Sequence, residues 1–192
     1  MKTTFTLIVS LFCCLGLSAQ SFTEYFSVGN PLKYCDTAFS FAWSANPHEN
    51  YYVQEYLPQG ESLEHYTQMF NVSVIFWDRS PLDAVQAKIA ELDQRKKIDP
   101  VTNYMAAENN GEYILEFIVS DSNNGKMNTV ELDVHHYKHM TINGKKATVL
   151  SFYSSRAYGD DITAFIQSIP QKRSAWYEGM SNLKIKPEFP KK

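Results

Sequence analysis

The sequence predicts an α+β fold: one domain built mainly on an antiparallel sheet of about 6–7 strands, with helices packed against it. Two observations carry that expectation. The second half is a run of β-forming segments separated by strong turn signals. The gaps between strand segments hold stretches whose apolar residues recur three and four apart, the spacing of one helix face.

The meander is the clearest element. Glu112 to Ser120 (EYILEFIVS) ends at Asp121-Ser122-Asn123-Asn124-Gly125, a turn signal. Thr129 to Met140 follows, alternating through Val130, Leu132 and Val134, and Asn143-Gly144 then gives a two-residue hairpin signature, because both residues tolerate positive φ. Lys146 to Ser155 (KATVLSFYSS) completes the set. Val101 to Ala107 reads as an upstream strand entering through Asn109-Asn110-Gly111, or as a helix capped at Asp99-Pro100. In the first half, Ala38 to Ser44 and Tyr51 to Leu57 alternate, while Asn71 to Trp77 is nearly continuous apolar and reads as buried on both faces.

The helices have start signals. Ser80-Pro81-Leu82-Asp83 supplies an N-cap, a proline at the first helical position and an early acidic residue, before Leu82, Val85, Ile89 and Leu92 form an apolar stripe. A short helix is expected near Ser62 to Phe70. Another opens at Asp160-Asp161, whose carboxylates would satisfy free N–H groups, and buries Ile162, Phe165, Ile166 and Ile169. Pro170 is expected to kink or end it, with a last helical stretch over Gln171 to Met180.

Residues 1–19 have the layout of a cleaved signal peptide: Lys2, an apolar run from Phe5 to Leu17, and the small-residue site Leu17-Ser18-Ala19. That run would span about 20 Å as a helix, short of the roughly 30 Å bilayer core. The expected organisation is therefore a leader over 1–19, a single domain over 20–184 and a loosely ordered tail over 185–192. The mature protein is expected to be periplasmic or secreted, with no integral membrane segment. Cleavage removes Cys13 and Cys14, so Cys35 is left without an intramolecular disulfide partner and reads as a buried small hydrophobe. Removing Lys2 from 18 basic residues set against 21 acidic ones takes the formal charge from −3 to −4. That argues against nucleic acid as the main partner and leaves a protein or a small molecule.

Four residues stand out as ligand-binding candidates. Arg156 shares the alternation of Leu150 and Phe152, and Glu116 that of Ile114 and Ile118, so each charge is set among core residues. Such a carboxylate and guanidinium must pair or reach solvent, and a ligand anion held by Arg156 is the functional alternative. Tyr52 and Tyr56 share a mixed strand face with Gln54, where exposed tyrosines suit protein or sugar contact. Asp133-Val134-His135-His136-Tyr137-Lys138-His139 invites a metal reading that geometry disfavours. On a strand His135 and His136 point to opposite faces, and His135 lies roughly 14 Å from His139; the group reads as a solvent-facing polar row. No metal and no cofactor is expected. Glu131 and Asp133 form one of several carboxylate pairs with spacing suited to glycoside hydrolysis. Catalytic signatures such as Gly-x-Ser-x-Gly, Cys-x-x-Cys and His-Glu-x-x-His are missing.

Tyr56-Leu57-Pro58-Gln59-Gly60-Glu61, continuing through Tyr66-Thr67-Gln68-Met69, resembles a pattern in uncharacterised exported proteins of Bacteroidetes type, and Ser155-Arg156-Ala157-Tyr158-Gly159 is similar to a second block of the same proteins. The order of elements resembles the Mog1/PsbP-like fold, an antiparallel sheet between helices. The resemblance implies export and fold and transfers no catalytic residue. The expected function is a non-enzymatic exported binding or accessory protein. An extracytoplasmic, hydrolase-like enzyme with a site near Arg156, Glu116 and His135 is the alternative.

Overall fold

A computed structural model describes residues 22–29 and 31–190; the leader expected over 1–19 lies outside the described residues. The chain runs β1 (Leu32–Tyr34), β2 (Thr37–His48), β3 (Tyr51–Leu57), β4 (Gln68–Ile75), α1 (Pro81–Arg95), β5 (Asn103–Asn109), β6 (Glu112–Asn123), β7 (Lys126–Ile142), β8 (Lys145–Tyr158) and α2 (Ile162–Asn182). All eight strands form one antiparallel sheet ordered β1-β2-β3-β4-β8-β7-β6-β5. It is two four-strand meanders joined where β4 pairs with β8. The sheet has eight strands rather than 6–7 because β1, three residues long, is too short to show alternation in sequence.

Asn143-Gly144 closes the β7–β8 hairpin with both residues at positive φ, 49° and 76°, the primed turn that matches strand twist. Of the segment Val101 to Ala107, the part from Asn103 resolves as strand, since β5 pairs along its whole length with β6. Cys35 is a correction: it lies exposed in the β1–β2 turn at φ 48°, and desolvation raises its thiol above the usual range.

Directly opposed residues of an antiparallel sheet point to the same side, so register fixes two faces. One holds the row Tyr56–Phe70–Tyr153–Val134–Glu116 and is covered by α2, β1 and the flanking segments. The other holds Glu55–Asn71–Phe152–His135–Leu115 and is partly covered by α1, whose Val85 and Leu92 pack on Leu115, Phe117 and Tyr137. The Ser80 hydroxyl caps α1 by accepting from Leu82 N–H at 3.1 Å.

Four expectations are corrected. Residues 62–67 form no helix; Glu61 accepts from Thr67 N–H at 2.6 Å and Gln68 N–H at 3.1 Å, and β4 begins at Gln68 because burying Met69 and Phe70 in the sheet outweighs local propensity. Pro170 does not end the helix: α2 continues past it to Asn182, with the proline at an exposed position where water can satisfy the freed carbonyl, while Ile162, Ile169, Trp176 and Met180 anchor one stripe. Neither Asp160 nor Asp161 caps α2; the 3-10 turn Gly159–Asp161 leads into it, with Ile162 N–H donating to Gly159 O. The segment expected to be loosely ordered packs back through residue 190. Ser27 and Glu188 exchange two backbone hydrogen bonds of 2.9 Å, and Phe189 meets Phe26, Tyr52 and Phe76 at centroid distances of 5.1–5.3 Å.

Candidate functional site

The strongest convergence of ionisable side chains lies on the α1 face, where β7 and β8 run side by side. Register sets Glu131 opposite Arg156, Asp133 opposite Ser154 and His135 opposite Phe152. These floor a cleft of about 500 Å³ walled by Lys88 of α1, Tyr66 and Leu63 of the 58–67 loop, and Glu55 and Met69 from β3 and β4.

Arg156 directs Nε and a terminal nitrogen at one oxygen of Glu131. The Tyr66 hydroxyl donates to the same oxygen at 3.3 Å, and the guanidinium lies 4.1 Å from the centre of the Tyr66 ring, a cation–π contact. The Tyr158 hydroxyl, near Arg156, donates to Tyr66 O at 2.8 Å and so pins the loop to the strand end. The charges on Glu131 and Arg156 are therefore spent on each other.

Two other floor residues are driven to their neutral forms. Burial holds the Asp133 carboxyl well above its ordinary range; the Glu131 charge adds to this, and the Ser154 hydroxyl donating to Asp133 only partly opposes it. Burial pushes His135 down to about 3, with the Lys88 charge acting in the same direction. Its Nδ1 shares a 3.0 Å hydrogen bond with the Tyr137 hydroxyl, and its ring sits 4.8 Å from Phe117 and 4.7 Å from Phe152. Burial also raises Glu55, with Asn71 opposing.

The four expected ligand contacts go to four different places. Arg156 is in the cleft. Glu116 points to the opposite face, where its Oε1 pairs with Arg173 of α2 at 2.8 Å and its buried Oε2 has no hydrogen-bond partner among the described residues. It cannot share a site with Arg156. Tyr56 is fully buried, its hydroxyl accepting from Gln54 Nε2 at 2.6 Å, because the N-terminal segment around Phe26 covers that face. Tyr52 is half-buried at the sheet end, lining a separate cleft of about 860 Å³ with Phe76, Phe189, Ile142 and Lys145.

The expected solvent-facing histidine row is overturned as well. His135 and His136 are both 7% exposed, on opposite faces, and His136 Nε2 meets Glu112 at 2.8 Å. Among the described residues no group of three or more His, Cys, Asp or Glu side chains is placed to hold a metal ion. Ser154, Tyr66 and Lys88 were not singled out in sequence, and Glu131 and Asp133 stood out only as one carboxylate pair among several. The missing signal was register. A two-residue turn at Asn143-Gly144 pairs Ile142 with Lys145, and counting back along both strands puts Glu131 opposite Arg156 and Asp133 opposite Ser154.

No curated protein and no solved structure matches the chain. A family model matches residues 26–185, which include both meanders, both helices and every residue of the cleft. The chain belongs to that family, an uncharacterised one.

Proposed function

We propose that the protein is an exported, non-enzymatic binding protein whose cleft beside α1 takes a small, uncharged, hydroxyl-rich ligand such as a sugar. The observation that carries this reading is the make-up of the cleft, whose charged floor residues are paired and whose lining includes three aromatic rings. A general acid or base works best with its pKa near the operating pH, and burial drives the His135 imidazole down to about 3, far from that range. Glu131 is engaged by Arg156 and Tyr66. What remains is a floor whose opposite charges are paired with each other and whose other groups can hydrogen-bond, beside the rings of Phe117, Phe152 and Tyr66, a combination that recognises sugar hydroxyls and their apolar faces. Export rests on Lys2, the Phe5–Leu17 run and the Ala19 site. The Mog1/PsbP-like reading is supported by an open antiparallel sheet with one helix on each face.

Titration calorimetry with maltose, cellobiose and diacetylchitobiose, with galacturonate as the charged comparison, tests the proposal. Binding of a neutral disaccharide is expected, weakened about tenfold by Phe152→Ala. Binding of galacturonate alone, or none of the four, would overturn it. One observation favours a second reading, a hydrolase: Glu131 and Asp133 share a face two residues apart, and Asp133 has the raised carboxyl of a general acid. Release of nitrophenol from aryl glycosides, lost in Asp133→Asn, would establish that reading instead.

A further inference from the structure

We propose that the protein self-associates through β5, which pairs antiparallel with β5 of a second copy to make one continuous sheet. Among the described residues β5 pairs only with β6, in unbroken register from Asn103↔Ile118 to Asn109↔Glu112. Its outer side therefore presents backbone N–H and C=O groups with no ladder partner.

Monomeric sheet proteins blunt such edges with prolines, lysines, bulges or very short strands. The other edge follows that rule: β1 has three residues, and beyond Phe39 the uncovered length of β2 carries two register shifts and Pro47. The seven residues of β5, Asn-Tyr-Met-Ala-Ala-Glu-Asn, contain no proline, no basic residue and no bulge. The helices pack chiefly on the inner strands β6 and β7; α1 also reaches β5, where the Tyr104 hydroxyl donates to Asp93 at 3.0 Å, but neither helix pairs with the outer backbone edge of the strand. Large apolar side chains gather here too: Met105 is 47% exposed within β5, and Ile98, in the segment leading into it, is 86% exposed.

A second copy fits this edge without setting like charges face to face when the two strands are centred on Ala106. A two-fold axis through Ala106 sets Asn103 opposite the partner's Asn109, Tyr104 opposite the partner's Glu108 and Met105 opposite the partner's Ala107. Glu108, the only charged residue of the strand, then faces a tyrosine instead of its own copy, so no like charges oppose. Ala106 is exposed and faces itself across the axis.

Sedimentation of the purified protein from about 1 to about 300 µM tests this, and a concentration-dependent dimer is expected. Ala106→Lys and Ala106→Glu each place like charges face to face and should raise the dimer dissociation constant about fivefold. An equal mixture of the two variants should restore dimerisation, a rescue that loss of folding cannot mimic. Hydrogen exchange at β5 amides should slow as the wild-type concentration rises. A monomer at every concentration, a dimer indifferent to both charges, or β5 protection without a change in mass would overturn the proposal.

Discussion

The two faces of the sheet handle buried polar groups in opposite ways. On the α2 face, polar side chains reach across layers. Gln54 bonds the backbone N–H and C=O of Phe26 at 3.0 Å, Glu116 pairs with Arg173, and the Tyr34 hydroxyl donates to Trp176 O at 2.6 Å. Each contact ties a covering segment down. On the α1 face, polar groups pair mostly within the sheet: Arg156 with Glu131, Ser154 with Asp133, Ser73 with Asn71, and His135 with Tyr137. A face that bonds outward is closed by what it bonds, whereas a face that bonds to itself is left open. His136 with Glu112, an in-sheet pair on the α2 face, sits at a small recess of about 270 Å³, in keeping with the same rule.

The contrast can be broken or sharpened by measurement. The largest effect belongs to the closed face: Phe70→Ala empties a fully buried site against Tyr34 and Phe39 and should cost about 3–5 kcal/mol in urea denaturation. A loss near zero would mean that this face is not the core. The next effect lies on the cleft floor and is a slope. Between pH 4 and 6.5 the unfolded chain has released the Asp133 proton that the fold keeps, so that residue makes stability fall as pH rises. Over the same window the unfolded chain binds a His135 proton that the fold excludes, so stability rises with pH until it levels above about 6.5. Asp133→Asn should therefore leave a rising slope of up to about 1.4 kcal/mol per pH unit, and His135→Phe a falling one. Denaturation midpoints from pH 4 to 6.5 read both signs; slopes of the same sign would refute the assignment. The smallest effect is the Arg156–Glu131 pair, partly exposed at 25% and 18%. A double-mutant cycle with Arg156→Met and Glu131→Gln should give coupling of about 1 kcal/mol, against no measurable coupling between Arg156→Met and Glu116→Gln.

The meander, α1 and the two-faced burial of β4 were legible because alternation, caps and apolar runs are local. The candidate site was half legible. Arg156 was found from its alternation with Leu150 and Phe152, but Glu116 was joined to it wrongly, and one irregularity explains why. From Asn123↔Lys126 and Ser122↔Met127 the β6–β7 ladder steps to Asp121↔Thr129, skipping one β7 residue. Without that bulge Glu116 would oppose Asp133 and share the face of Arg156; the single-residue slip turns it to the other side. No residue type in Met127-Asn128-Thr129 announces the slip. Tyr56 and the tail were misread for a different reason, since both depend on contacts between segments far apart in the chain. Tyr56 is sealed by Phe26 and Phe189 lands on Tyr52.

The joining of the two meanders through β4 and β8 also sets an order of events during synthesis. β4 takes Gln68 to Ser155 and Ile75 to Thr148, so its second neighbour is the last strand to be made. A chain emerging N-terminus first holds an apolar strand, with Met69 through Val74 destined for burial, beside an unfilled slot until nearly all of it has been released. Closure of the sheet is thus a late, long-range step. A nascent chain stopped before Lys145 retains its sticky β4 edge and has nothing of its own to cover it.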